Sequence, residues 1–320
     1  MRRSYPLKKI LKTIHEFVFT KSFYFFERLG LHILPVHYYS PIPDTRILRK
    51  RPELWLSELP LDGLDLNINE QKHLVEEIYH LFHEEYMALP LERTNDPTQY
   101  HLNNGSFGFM SGQMHYGMIR HFKPKKIIEV GSGYSTLVSL AALRKNAAEG
   151  HQCDFITIDP YPTSFITKDT PGIKQLLIKK VEDIDVTFFD QLSENDILFI
   201  DSSHTVKLGG DVNFLILEAL PRLKKGVIIH IHDIHFPYEY FKSYALENHL
   251  FWQEQYLVQA FLAYNKAFKI LWCASYMHYK YPELMTMYFS PYPSNRVPTS
   301  LYIQKINKNI LEDEKDDASF

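Results

Sequence analysis

The stretch Ile127-Ile-Glu-Val-Gly-Ser-Gly-Tyr-Ser-Thr136 decides the fold of this chain. Its first four residues predict a buried strand, Gly131 and Gly133 predict a tight turn, and a helix is expected to begin at Ser135 or Thr136. Glycines in such a turn let backbone amides come close to a ligand at a helix N-terminus. The stretch therefore predicts either the ligand loop of an α/β domain or an ordinary tight turn between strand and helix.

The chain around this loop alternates short apolar runs with helical segments, which is typical of a parallel sheet covered on both faces. The predicted strands are Lys126–Val130, Phe155–Ile158, Ile173–Ile178, Ile197–Ile200, Val227–Ile231, Phe268–Trp272 and Ser300–Ile306. The predicted fold is α/β, Rossmann-like and doubly wound, with a mostly parallel seven-stranded sheet, an antiparallel C-terminal strand pair and a helical N-terminal extension.

The same pattern divides the chain into three parts. We predict that residues 1–115 form the helical extension and cap an acceptor site, that residues 116–306 form the main domain, and that residues 307–320 are a disordered acidic tail. Apolar residues at helical spacing between Asn69 and Pro90 predict an amphipathic helix, and Asn67 with Glu70 predicts a capping box at its start.

The composition favours a folded protein with small-molecule ligands. Hydrophobic residues make up 45% and charged residues 23% of the chain, close to the averages for globular proteins. The formal net charge of -3 argues against a nucleic-acid partner. Two cysteines are too few for a disulfide framework, which suits a cytoplasmic protein. A homo-oligomer is left open.

The first 40 residues combine basic and aromatic side chains. No apolar run among them reaches the roughly 18 residues of a spanning helix, so we predict no transmembrane segment. Docking of this segment on the protein itself is the first interpretation, and weak peripheral contact with a membrane surface is the alternative.

Two acids near the glycine turn indicate the kind of ligand. Glu129 directly precedes the turn, and Thr136 stands where a dinucleotide fingerprint needs a third glycine. A carboxylate there would repel a pyrophosphate but suits the cationic amino end of S-adenosylmethionine. Asp159 ends the second strand, where an acid can accept hydrogen bonds from ribose hydroxyls. A turn cap in Asp-Pro-Tyr-Pro is the alternative for Asp159.

Three motifs, Glu129-Val-Gly-Ser-Gly-Tyr-Ser-Thr136, Ile158-Asp-Pro-Tyr-Pro162 and Phe199-Ile-Asp-Ser-Ser-His-Thr205, resemble those of class I S-adenosylmethionine-dependent methyltransferases. The resemblance covers roughly Tyr116 to Ile306. Within that superfamily the chain is similar to small-molecule O-methyltransferases related to the cephalosporin and macrolide-sugar enzymes. The resemblance implies methyl transfer from S-adenosylmethionine to a hydroxyl of a sugar or natural-product scaffold.

The resemblance also implies positions for the cofactor. Glu129, Gly131 and Gly133 would lie near its methionine end, Asp159 near the ribose and Asp183 near the adenine. The predicted cofactor set is Glu129, Gly131, Ser132, Gly133, Ser135, Asp159, Asp183 and Asp201.

A second group of polar residues follows the fourth and fifth strands. Asp201-Ser-Ser-His204 ends one strand and His230-Ile-His232-Asp233 ends the next. Because parallel strands release their carboxyl ends at the same edge of a sheet, we expect Asp201, His204, His232 and Asp233 to converge there.

This cluster predicts catalysis in one of two ways. Asp201, His232 and Asp233 could hold a divalent metal such as Mg²⁺, although related O-methyltransferases have an acid where His232 stands. Alternatively, His204 or His232 acts as the general base while Asp201 or Asp233 orients the ring. The predicted catalytic residues are His204, His232 and Asp201.

Three other interpretations stay open at this point. The His-x-His-Asp run also suggests a metal-dependent hydrolase built on Asp201, His204, His232 and Asp233. A non-catalytic nucleotide-binding protein on the same fold is a further alternative. His230 and His232, taken singly, could be hydrogen-bonded residues of the core.

Overall fold

A computed structural model describes residues 22–291 and 293–307 of the chain. It contains two compact units, of which the first comprises residues 22–56 with Phe241–Phe251 and the second comprises the remaining described residues. The predicted acidic tail lies outside the described residues beyond Asn307, as do the basic residues at positions 1–21. The second unit begins at Ser57, and the domain boundary at residue 116 stays a prediction.

The first unit consists of short helices with much exposed apolar surface. The helices are Phe23–Arg28, Thr45–Leu48, Glu53–Leu56 and Lys242–Leu246. Tyr38 and Tyr39 are 93% and 86% exposed. Membrane contact through this segment stays a prediction. Within 22–291 and 293–307, none of the helices combines the length and apolar character needed to span a bilayer.

The second unit is built on a seven-stranded sheet, as the sequence predicts. Its strands are β1 (Lys126–Val130), β2 (Asp154–Ile158), β3 (Gln175–Leu177), β4 (Ile197–Ile200), β5 (Ile228–Ile231), β6 (Phe268–Cys273) and β7 (Leu301–Lys305). They lie in the order β3-β2-β1-β4-β5-β7-β6. The first five are parallel and β7 runs antiparallel to both neighbours, so the predicted fold class is confirmed.

Strand direction and order decide where a ligand site forms. β1 pairs with β2 on one side and with β4 on the other. The crossover from β1 leads to one side of the sheet, and the crossover from β3 returns past β1 to the other side. The carboxyl ends of β1, β2 and β4 therefore surround the point at which the strand order reverses. Ligands of open α/β sheets bind at this point.

The helices of this unit cover both faces of the sheet. They are α1 (Ile68–Met87), α2 (Phe109–Phe122), α3 (Tyr134–Ala148), α4 (Asp211–Asn213), α5 (Leu220–Arg222), α6 (Glu254–Leu262), α7 (Ala274–Lys280) and α8 (Pro282–Tyr288). A π-helical stretch, Phe214–Ala219, joins α4 to α5. Pro221 has no N–H to donate, which interrupts the regular hydrogen-bond ladder just before it.

Alternation along the strands feeds two separate cores. Ile127 packs into the core that includes α1, α2 and α3, whereas Ile128 and Val130 pack into the core that includes α6. Successive side chains of a strand point to opposite faces, so a strand buried on both faces reads as a continuous apolar run. This burial fixes the positions at which the loops after β1, β4 and β5 emerge.

The start of α1 differs from the prediction. The helix begins at Ile68, but the predicted capping box of Asn67 with Glu70 is wrong. Asn67 adopts a left-handed φ of 48°, and its side-chain amide donates to the carbonyl of Asp65. The amide is therefore engaged in the preceding turn and does not cap the helix.

Candidate active site

A cavity of about 630 Å³ opens at the carboxyl ends of β1, β2 and β4. Its wall contains the residues that end these strands and the loops that follow them. They are Val130, Gly131, Ser132, Ile158, Asp159, Pro160, Tyr161, Lys180, Val181, Glu182, Asp201, Ser202, Ser203, Lys207, Leu208, Gly209 and Asp211. Sequence motifs that are far apart in the chain thus share one concave surface, whose volume is typical of a small-molecule site.

The two glycines of the loop play different parts. Gly131 has a φ of +85°, and a Cβ there would lie 2.2 Å from the carbonyl oxygen of Asp201. The end of β1 thus approaches the end of β4 so closely that only glycine fits. At Gly133, by contrast, no atom of the described residues other than its chain neighbours lies within 4 Å of the Cβ position. The protein's own packing therefore demands glycine at Gly131, while Gly133 leaves open space.

Asp159 closes the glycine loop from the side of β2. One carboxylate oxygen accepts hydrogen bonds from the backbone N–H and the hydroxyl of Ser132, at 2.8 and 2.6 Å. The other accepts from the backbone N–H of Tyr161 at 2.7 Å. Asp159 therefore caps the turn, as its alternative interpretation predicts. A carboxylate offers about four acceptor positions, so a ligand hydroxyl can still bind at this half-buried group.

Glu129 lies beneath the loop and does not line the cavity. Its buried carboxylate accepts hydrogen bonds from the hydroxyls of Ser135, Thr136 and Thr157, at 2.8, 2.7 and 3.1 Å. Burial raises the pKa of Glu129 to about 8, against the opposing effect of these hydroxyls. Glu129 and Ser135 thus tie the loop to the start of α3, and direct contact of either with a cofactor stays a prediction.

Asp183, the predicted adenine contact, does not line the cavity. Asp183 ends a short 3-10 helix, Val181–Asp183, and its side chain is exposed outside the cavity wall. Glu182 lies in the wall instead. Of the predicted cofactor set, Gly131, Ser132, Asp159 and Asp201 line the cavity, and Glu129, Gly133, Ser135 and Asp183 do not.

The polar cluster forms at the ends of β4 and β5, as expected. His204 Nε2 lies 3.3 Å from Asp201 Oδ1 and 3.5 Å from Asp233 Oδ2. His232 Nδ1 lies 3.7 Å from Asp201 Oδ1 and 3.6 Å from Asp233 Oδ1. Asp201 belongs both to this cluster and to the cavity wall, so the two sites meet at one carboxylate.

Comparisons with known proteins show the family of the chain. Residues 128–234 match the family model described as a methyltransferase domain. An uncharacterised protein of Archaeoglobus fulgidus is 32% identical over 171 residues, which cover 51% of this chain and 75% of that protein. The chain belongs to the class I methyltransferase family. The resemblance seen in the sequence is thereby confirmed.

Solved structures show more distant similarity. A CmcI structure without ligand is 15% identical to this methyltransferase, covering 62% of this chain and 71% of that one, with a TM-score of 0.35. An O-methyltransferase from Bacillus cereus in complex with SAH is 11% identical, covering 73% and 91%, also with a TM-score of 0.35. A TM-score of 0.35 supports no argument about activity.

One residue that contacts the polar cluster was missed by sequence reasoning. Glu254, at the start of α6, is fully buried and lies 2.7 Å from His204 Nδ1. It follows His204 by 50 residues and lies outside the matched range 128–234. As an acid in the first turn of a predicted helix it suits the helix dipole, and nothing in the local sequence indicates its burial.

The electrostatics of the cluster follow from its mixed charges. Burial opposes ionisation of Asp201, but His232 and His204 nearby hold the pKa of Asp201 well below its usual range. Burial also opposes a charge on His204, yet the hydrogen bonds to Asp201 and Glu254 raise the pKa of His204 above its usual value. The pKa of His232 is raised by Asp233 and Asp201 despite burial. Ionised carboxylates and strongly basic imidazoles therefore stand side by side.

His230 takes no part in the cluster. It is fully buried, its ring stacks on Tyr302 with centroids 4.1 Å apart, and burial lowers its pKa well below the usual value. His230 is therefore a core residue as the alternative interpretation has it, but the expected hydrogen bonds are absent, since neither ring nitrogen has a partner among the described residues. His232, two residues further along, follows the last residue of β5 and lies at the edge of the sheet.

Proposed function

We propose that this methyltransferase moves the methyl group of S-adenosylmethionine to a hydroxyl of a small molecule. The observation that carries the proposal is the 630 Å³ cavity that joins the glycine loop and Asp159 to the polar cluster through Asp201. One surface thus offers both a cofactor cradle and groups able to handle the proton of an acceptor.

The cavity wall suits the cofactor chemically. Gly131 brings the backbone of β1 within reach of β4, Ser132 presents its loop to the cavity, and Asp159 supplies a carboxylate for the ribose hydroxyls. S-adenosylmethionine supplies a sulfonium, which is already a good leaving group, so the protein has mainly to position the acceptor in line.

The cluster then deals with the hydroxyl proton. Asp201 lies where the cavity and the cluster meet and orients the hydroxyl by accepting its hydrogen bond. The imidazoles of His204 and His232 face the same carboxylate, and they either accept the proton directly or bind a cation that favours its release. Glu254 bonds to His204 Nδ1, which fixes the ring and directs Nε2 to the site. This assignment favours hydroxyl acceptors. The match to a methyltransferase domain argues against the hydrolase alternative.

Calorimetric titration of the purified full chain with S-adenosylhomocysteine tests the proposal, with added Mg²⁺ and after chelation. We expect micromolar binding. Asp159→Ala should weaken it roughly 10- to 100-fold, since a hydrogen bond to a charged group contributes about 1.5–3 kcal/mol. Asp183→Ala is the matched control and should leave the affinity unchanged, because its side chain is exposed outside the cavity wall.

Two outcomes would contradict parts of this proposal. Lack of binding under every condition would remove the cofactor assignment. Unchanged affinity in Asp159→Ala would remove the ribose contact but leave the cofactor in place. Methyl transfer is then measured with radiolabelled S-adenosylmethionine and a panel of hydroxylated sugars and phenols, and with matched thiols and amines as tests of the hydroxyl preference.

A further inference from the structure

Four groups with lone pairs converge at the polar cluster. Asp201 Oδ1 and Asp233 Oδ2 face His204 Nε2 at 3.3 and 3.5 Å, and the ligand atoms of these three residues all lie within 4.8 Å of one another. Glu254 accepts the proton of His204 Nδ1, so in the neutral ring Nε2 carries the lone pair. Two carboxylates and an imidazole nitrogen therefore point at the same space, where positive charge is supplied either by a proton on the ring or by a metal cation.

His232 supplies an independent indication of a ligand. The residue is 5% exposed, and its buried Nδ1 finds no hydrogen-bond partner among the described residues. The atom is aimed at both carboxylates, at 3.7 Å from Asp201 and 3.6 Å from Asp233, which is too long for a hydrogen bond. A buried polar atom without a partner costs free energy, and a shared cation would satisfy it.

Surrounding groups hold two of the four side chains in place. Glu254 orients His204, and the hydroxyl of Thr299 donates to Asp233 Oδ1 at 2.9 Å. His204 and Asp233 both adopt left-handed backbone conformations, with φ of 57° and 56°, which cost energy for residues other than glycine. Outer hydrogen bonds of this kind orient the ligands of metal sites.

We propose that Asp201, His204, His232 and Asp233 bind a divalent transition metal such as Mn²⁺ or Fe²⁺ in preference to Mg²⁺. Imidazole nitrogens suit transition metals, whereas Mg²⁺ binds through oxygen and keeps much of its water. The inference rests on the proposed function and assigns the two imidazoles to cation binding instead of proton transfer. A cation at this position supplies positive charge that favours the ionised form of an acceptor hydroxyl.

Mn²⁺ alone is the probe. The full chain is stripped with a chelator and titrated with Mn²⁺ while the electron paramagnetic resonance signal of free Mn²⁺ is followed, with Mg²⁺ as competitor. We expect one bound Mn²⁺ that equimolar Mg²⁺ does not displace, and a spin-echo modulation spectrum with coupling to imidazole nitrogen. Lack of binding, lack of nitrogen coupling, or equal displacement by Mg²⁺ would each overturn the proposal.

Variants assign the nitrogens to residues. His204→Gln and His232→Gln should each weaken Mn²⁺ binding at least ~100-fold and remove part of the nitrogen coupling. Glu254→Ala should weaken Mn²⁺ binding roughly 10- to 100-fold, the usual effect of removing an outer hydrogen-bonding partner. Glu254→Gln keeps an acceptor for Nδ1–H and should restore most of the affinity. Glu182→Gln removes a carboxylate of the cavity wall that lies outside the cluster and is the control.

The titration with S-adenosylhomocysteine separates failure of this inference from failure of the proposed function. Binding of S-adenosylhomocysteine without imidazole-coordinated Mn²⁺ leaves the methyltransferase and removes the metal site. Binding of Mn²⁺ without S-adenosylhomocysteine does the reverse. If either histidine variant fails to fold by circular dichroism, the nitrogen coupling of the unmodified protein still decides.

Discussion

At the ends of β1 and β2 the carboxylates are satisfied by hydroxyl and amide donors of the protein, whereas at the ends of β4 and β5 they face imidazole rings. Glu129 accepts three hydroxyls and Asp159 accepts Ser132 and Tyr161. Asp201 and Asp233 instead stand 3.3–3.7 Å from ring nitrogens. We call the ends of β1 and β2, where the protein itself supplies the hydrogen-bond donors, the closed half of this sheet edge. The ends of β4 and β5, where carboxylates face imidazole rings, are called the reactive half.

The difference separates stability from chemistry. Hydrogen bonds that are complete within the protein preorganise a loop before any ligand arrives, and their loss is felt as unfolding. Buried acceptors and bases whose hydrogen-bonding capacity is not filled by the protein lower its stability. Such groups are found where they act on a ligand. Substitutions in the β1–β2 half should therefore mainly change folding and cofactor affinity, and those in the β4–β5 half should mainly change turnover.

The largest effect is expected at Asp201. Asp201→Ala removes the carboxylate that joins the cavity to the cluster, and turnover should fall by roughly 10²- to 10⁴-fold, the usual contribution of acid–base groups. The rate of S-adenosylhomocysteine formation with the best acceptor of the panel measures this. Asp154→Ala, which removes a surface carboxylate at the opposite end of β2, is the control. Full turnover in both Asp201→Ala and His232→Ala would place the chemistry elsewhere.

The two loop glycines offer the next largest effect. Gly131→Ala forces a Cβ to within 2.2 Å of a backbone carbonyl at a φ of +85°. The free energy of unfolding should fall by about 2–4 kcal/mol, the sum expected for backbone strain and overpacking. Gly133→Ala meets open space and should change stability by less than about 0.5 kcal/mol. Urea denaturation measures the free energy of unfolding of both variants. Equal decreases would show that the close approach of β1 to β4 does not require glycine at position 131.

Sequence reasoning recovered the two halves unequally. The bounds of β1 and β4 were predicted to the residue, because strands buried on both faces form continuous apolar runs ended by glycine or acid. Glu129 was found through the glycine-turn motif and Asp159 through its place at the end of the second strand. The sequence could not show that hydroxyls of the protein bind Glu129. Glu254 was missed because its contact with His204 depends on how α6 packs. Spacing alone does not show which residue of a short 3-10 helix faces a cavity, so the position of Asp183 outside the wall could not be predicted.

A further effect is a pH dependence confined to the closed half. Burial raises the pKa of Glu129 from 4.5 to about 8, so the folded protein keeps a proton that the unfolded chain releases near pH 4.5. Unfolding then releases a proton between these values, and the free energy of unfolding should fall as pH rises from about 4.5 to about 8 and level off above that. Glu129→Gln keeps the side chain uncharged throughout, so the difference in urea midpoint between the two proteins should grow in its favour across this window. A difference in urea midpoint that stays constant with pH would mean that the three hydroxyls keep Glu129 ionised. The carboxylates of both halves would then be ionised, and the two halves would differ only in the groups that donate hydrogen bonds to them.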